Sequence, residues 1–210
     1  MSHRHLSLIA GISYWVIFFA AIFANFLMLE RIKSDPLGTV QNAHTMVRAG
    51  IIAFMVTVVF DVIVAWALYV LFKDHALSLP SMLFRMMHAA IMAVAVFALP
   101  LALEQTNAEG ILAHVRIFDT IWLIGLFFFG IHLLMLARIL GRPRFIAIFL
   151  GIAGLMYMVD TCAHFLLPNY QDHAEIFLML VAIPSILGEM ALAVWLLVKG
   201  GKQVEGRGLV

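Results

Sequence analysis

Charge is scarce in this chain: of its 210 residues, 12% are Asp, Glu, Lys or Arg, against about a quarter in soluble domains. Cysteine is scarcer still. The single Cys162 excludes an intramolecular disulfide, and no CxxC or zinc-finger spacing exists. Lysine is missing from the middle of every apolar run, so a retinal-type Schiff base has no point of attachment. There is no HExxH, no GxSxG and no phosphate-binding glycine loop. The short C-terminal stretch carries no prenylation box. A formal net charge of +1 without a basic stripe argues against nucleic acid as a partner.

What is abundant is apolar surface, with 64% hydrophobic residues and a mean hydropathy of +1.05. Six apolar runs, at about Leu6–Leu29, Gly50–Phe72, Met82–Leu103, Ala113–Ala137, Arg144–Leu167 and Ala174–Val198, each reach the roughly 20 residues that cross a bilayer. They predict an all-α, polytopic membrane protein: one six-transmembrane-helix bundle over residues 1–200 and a short polar tail over 201–210. The first run has a basic start (Arg4) like a signal peptide, but it is too long and lacks a small-residue cleavage site, so it reads as a membrane anchor. Lysine and arginine in the alternate loops divide nine to four, which places both termini in the cytoplasm. Membrane lipids are then the obligate surroundings, and a symmetric homo-oligomer is compatible with a chain of this size.

The titratable residues set into these runs are the candidates for function, because lipid penalises them unless they face a partner or water. Asp160 and His164 stand four apart and share a helix face, with Cys162 turned away. Asp61 lies near the middle of the second run. Arg85 and His88 are one turn apart on the third, where Arg85 has the length to snorkel to the headgroups. His132 sits in an apolar setting on the fourth, and a hydrogen bond to a neighbouring helix is its plainer reading. Glu189 follows Pro184 on the sixth, and Pro100 is placed to kink the third. At the opposite end, His44 and Arg48 mark the start of the second helix after a polar loop from Glu30 to Ala49, and Arg116 and Asp119 have the spacing of a local ion pair. His44, Arg48 and Arg116 would form an outer mouth above Asp119, Asp160 and His164. Together these residues predict a ladder of polar groups across most of the membrane.

Several chemistries are compatible with that ladder. Asp160 and His164, with His44 or Asp119 as a third ligand, could hold a divalent metal such as zinc, whose bound hydroxide could cleave a lipid amide or ester. Acids and histidines stepping through a bundle could instead relay protons or pass a cation. His88 and His132 could serve as axial haem ligands. A scaffold or sensor, in which each polar residue only joins helices, also accounts for every position singly.

The ordered set Asp61 with Leu68-Tyr69, Phe84-Arg85, Gly130-Ile131-His132-Leu133, Pro143 with Leu150-Gly151, Gly154, Tyr157, Asp160, Pro168, Gly188-Glu189 and the ending Trp195 to Gly200 resembles a family of bacterial membrane proteins called domain of unknown function 4386. The resemblance covers nearly the whole chain to Gly200. It implies a compact helical domain in the bacterial cytoplasmic (inner) membrane, without a defined activity, whose pattern includes Asp61, Arg85, His132, Asp160 and Glu189. His88, Cys162 and His164 lie outside that pattern. The combined expectation is a buried Asp/His/Glu site that binds an ion, a lipid ligand or another small polar group.

Overall fold

The computed structural model describes residues 1–200. The tail expected over 201–210 lies outside the described residues. Among the described residues nine α-helices follow in order: α1 (His3–Ile22), α2 (Glu30–Ser34), α3 (Pro36–Asn42), α4 (His44–Leu71), α5 (Ser78–Val96), α6 (Ala98–Leu103), α7 (Ala108–Leu140), α8 (Arg144–Leu166) and α9 (Ala174–Val198). A π-helical segment, Phe23–Leu29, joins α1 to α2 without a break. There is no strand among the described residues. Among the described residues six continuous helical stretches are long and apolar enough to cross a membrane: His3–Ser34, His44–Leu71, Ser78–Leu103, Ala108–Leu140, Arg144–Leu166 and Tyr170–Val198. They contain the six expected runs nearly whole and extend most of them by a turn or more.

Two local expectations change. The segment Glu30 to Ala49 is mostly helical rather than an open loop. Asp35 interrupts it, accepts a hydrogen bond from the Gly38 amide at 3.0 Å and so caps α3, as a short acceptor at an N-cap does. The third span breaks between α5 and α6 at Phe97, three residues before Pro100. That is the turn where a proline ring removes the regular hydrogen bond. At the other end of the chain's longest helix, Gly141 takes a positive φ of 56° and terminates α7, a conformation glycine adopts without steric cost.

Each span packs against its neighbours in sequence: α1 on α4, α4 on α5, α5 on α7, α7 on α8 and α8 on α9. α9 then packs against α1 and closes the ring. The helix order, which hydropathy alone leaves open, is therefore sequential around a closed up-and-down bundle. Arg4 fastens the closure: its guanidinium donates to the carbonyl oxygens of Leu196 and Gly200, both at 3.1 Å, and to that of Leu197. These carbonyls at the end of α9 have no intrahelical partner, and a cation there also complements the helix dipole.

Glycine sets the tightest crossing. A Cβ on Gly130 would lie 2.6 Å from the Gly154 carbonyl oxygen, and one on Gly154 would lie 2.6 Å from that of Gly130. The backbones of α7 and α8 meet there with no side chain between them, the close approach that small residues permit in membrane bundles. Two apolar cores fill the interior. Met28, Phe54, Leu99 and Phe118 belong to one, and Tyr14, Leu133, Leu150 and Leu192 to the other. Along α4 they are separated by Thr57 and Asp61, and the polar centre lies at this junction.

Candidate functional site

On α4 the buried positions recur as Phe54, Thr57, Asp61, Val64 and Leu68, the three-and-four spacing of one helix face. The opposite stripe, Ile52, Met55, Val59, Val62 and Trp66, is exposed, as a lipid-facing surface should be. Asp61 thus stands on the inward face. Arg85 and His88 lie on the buried face of α5, with Ser81 one turn before Arg85, and His132 lies on that of α7. Asp61, Arg85, His88 and His132 are all under 5% exposed.

Asp61 and His132 meet the Arg85 guanidinium directly, and His88 adjoins it through the Asp61 carboxylate. Arg85 Nη2 donates to Asp61 Oδ1 at 2.5 Å. Arg85 Nη1 donates to the Tyr14 hydroxyl at 2.8 Å and lies 3.3 Å from His132 Nε2. His88 Nε2 lies 3.8 Å from Asp61 Oδ2, on the side of the carboxylate away from the arginine contact. The rings of Tyr14 and Phe129 cover the guanidinium, with centroids 4.9 and 5.2 Å from its carbon, a placement in which aromatic faces stabilise a cation. Arg85 therefore does not snorkel. Desolvating it is tolerable because a carboxylate, a phenol, an imidazole and two ring faces replace the water it loses.

His132 has both ring nitrogens engaged. Nδ1 is 2.9 Å from the Ser81 carbonyl oxygen and 2.9 Å from the Ser81 hydroxyl. With its proton on Nδ1 the ring donates to Ser81 and leaves Nε2 to accept from Arg85, so one tautomer satisfies both contacts. This is the interhelical hydrogen bond expected for a histidine in an apolar helix. Haem ligation by His88 and His132 does not fit, because His132 Nε2 faces Arg85 and its Nδ1 faces Ser81, while His88 Nε2 faces Asp61. Two buried nitrogens of this centre, Arg85 Nε and His88 Nδ1, have no hydrogen-bond partner among the described residues.

Glu189 belongs to an adjoining polar chain. It accepts from the Ser185 hydroxyl at 2.7 Å, and Ser185 is 3.0 Å from the Tyr157 hydroxyl. Tyr157 stands edge-on to Phe129 at 5.5 Å, the ring that covers Arg85. All six spans thus contribute to one interior, through Tyr14, Asp61, Arg85, His132, Tyr157 and Glu189. Tyr14, Ser81 and Tyr157 were not among the sequence candidates. An interfacial aromatic and a lone hydroxyl carry no mark of burial until the neighbouring helices are placed.

The remaining candidates form a separate group at the end of the bundle away from the termini. Asp160 accepts from the Tyr170 hydroxyl at 2.7 Å, and the His164 ring packs against Tyr170 with centroids 4.6 Å apart. The pair shares a face, as its spacing requires, but it faces Tyr170. His44, Arg48 and Arg116 are exposed. Asp119 pairs with Lys33 at 3.2 Å rather than with Arg116, and Lys33 also reaches Glu30 at 3.4 Å. Among the described residues no three His, Cys, Asp or Glu side chains are placed to share a metal ion, so the ligand set Asp160, His164 and His44 is not assembled. Cys162 is exposed, turned from its neighbours as expected.

A pocket of about 10 Å³ opens near the loop between α4 and α5, lined by Tyr69, Ser78, Ser81, Met82, His132 and Leu136 among others. That is room for about one water. It lies at the end of the bundle that carries both termini, and its lining includes His132 but not Arg85.

Comparison with known proteins agrees with the sequence resemblance. An uncharacterised protein of the archaeon Archaeoglobus fulgidus is 27% identical over 161 residues, covering 74% of this chain and 86% of that protein. No solved structure matches the chain. The model of the family described as Domain of unknown function (DUF4386) matches residues 9–200, and the chain belongs to that family.

Proposed function

We propose that this six-helix bundle handles protons, or another species no larger than a water, at the Asp61–Arg85 centre, in the manner of a proton-linked carrier or channel. The observation that supports this most is the arrangement of two imidazoles around one buried ion pair, His88 on the carboxylate side and His132 on the guanidinium side. Titratable groups at such depth are costly and mark ion or proton pathways unusually often. The scale of the pocket beside His132 favours a small species over a bulky solute. Protonation of Asp61 would release Arg85 from its charged partner. The Tyr14 and His132 contacts, which come from different helices, would then be free to change. A buried ion pair whose contacts can exchange is a bistable element of the kind that gating requires.

In this reading the termini face the cytoplasm of a bacterial inner membrane, in line with the eight-to-four division of basic residues that remains once the buried Arg85 is set aside. The reading is tested by flux. Purified protein in liposomes carrying a trapped pH dye should dissipate an imposed pH gradient, and Asp61→Asn should abolish that while Asp160→Asn leaves it intact.

A second reading treats the centre as a staple. It is favoured by the number of helices that Arg85 joins, through Tyr14, Asp61 and His132. Under it, Asp61→Asn lowers thermal stability and no flux exists to be lost.

A further inference from the structure

We propose that the pocket at Ser78, Ser81 and His132 is a water site, and that it makes the polar centre accessible from one face only, the face that carries both termini. The pocket lies among the ends of α4, α5 and α7 at that face. Its lining holds the Ser78 hydroxyl, which donates to the Tyr69 carbonyl oxygen at 3.2 Å, and the Ser81 hydroxyl and carbonyl beside His132, all oxygens with a lone pair left to accept from a water. A water needs both room and two to four polar partners to occupy a site, and the pocket offers each. Its inner wall is the Ser81–His132 contact. His132 in turn touches Arg85, and Arg85 touches Asp61. The chain water, Ser81, His132, Arg85, Asp61 is therefore continuous in hydrogen-bond contacts once the pocket holds a single water.

The opposite approach is closed by packing. Beyond Asp61 on α4 come Thr57, whose hydroxyl donates to the Phe54 carbonyl oxygen at 2.7 Å, and Phe54 itself. Phe54 is wedged against Phe118 and Trp122 at centroid distances of 4.9 and 5.2 Å. The plug is three large rings packed face and edge, whose single polar atom is the Trp122 indole nitrogen. One wet side and one dry side are what an alternating or gated pathway shows when held in a single state.

This inference deepens the proton reading but is measured without it. Protein labelled with 15N-histidine, reconstituted in lipid, would be examined by water-edited solid-state NMR, with His132→Gln identifying the ring signal. The His132 ring should gain polarisation from water at a rate close to that of exposed His75, and filling the pocket with Ala65→Leu, or more gently Ala65→Val, should slow the gain by about fivefold or more. A His132 ring as dry in the wild type as in the filled variants would overturn the water site. The two proposals separate cleanly: a wet, pocket-dependent His132 with flux untouched by Asp61→Asn leaves the water site and removes the proton reading. A dry His132 with flux abolished by Asp61→Asn does the reverse.

Discussion

Asp61 and Arg85 stand on neighbouring helices, 24 positions apart in sequence, and meet at 2.5 Å with almost no exposure to the surroundings. The carboxylate leaves α4 on the same stripe as Phe54 and Val64, and the guanidinium leaves α5 beside Ser81 and His88. Removing one member strands the other without water. Arg85→Met alone should therefore cost about 3–5 kcal/mol of stability. The pair of changes Asp61→Leu with Arg85→Met should cost clearly less than Arg85→Met, since no unpaired charge remains. Thermal unfolding in detergent of the single and double variants, compared as a cycle, checks both statements.

The crossing of α7 and α8 gives a second prediction. A methyl group on Gly130 would lie 2.6 Å from the Gly154 carbonyl oxygen, a backbone atom that has no rotamer to adopt. Gly130→Ala should thus destabilise the bundle by about 1–3 kcal/mol. Gly151→Ala should be nearly silent, because its added Cβ would meet only the Ala137 methyl at 3.8 Å. The two melting temperatures in one detergent decide this.

Much of the architecture is legible in the sequence, and the reason is physical. Backbone groups in lipid must be satisfied within the segment, so runs of the right length are helices. The six runs, the break before Pro100 and the start of α4 at His44 follow from length, proline chemistry and spacing. Facing is less legible. Ile52 and Phe54 differ little in hydrophobicity although one meets lipid and the other the core, so apolar periodicity does not separate the inward stripe from the outward one. Arg85 shows the consequence: its length allows snorkelling, and only the position of Asp61 on the adjacent helix turns it inward. Asp119 shows another, since its partner Lys33 lies far off in sequence while Arg116 stands at the spacing of an ion pair. The Asp160–His164 spacing correctly placed the two on one face. It said nothing about Tyr170, the side chain that both contact.

Arg4 provides a third prediction. Three carbonyls at the end of α9 depend on its guanidinium. Arg4→Ala should lower stability by about 1–2 kcal/mol and should speed backbone hydrogen exchange in the last turn of α9. Arg4→Lys should recover only part of the loss, because a single ammonium cannot reproduce the fork. Mass-spectrometric exchange over the peptide ending at Gly200 reads the effect.

Tyr170 yields a fourth. Its hydroxyl donates to Asp160 at a partly exposed site, where one hydrogen bond contributes about 0.5–1.5 kcal/mol. Tyr170→Phe should cost no more than that and should leave proton flux unchanged, since this contact lies apart from the Arg85 centre. A large loss of flux in Tyr170→Phe would move the functional site to the opposite end of the bundle.

Flux through Asp61 remains the most direct test. In liposomes with a trapped pH dye and an imposed gradient, wild-type protein should collapse the gradient faster than protein-free liposomes, and correctly folded Asp61→Asn should match the protein-free rate. A wild-type rate equal to that of empty liposomes, or an Asp61→Asn rate equal to wild type, would contradict the account.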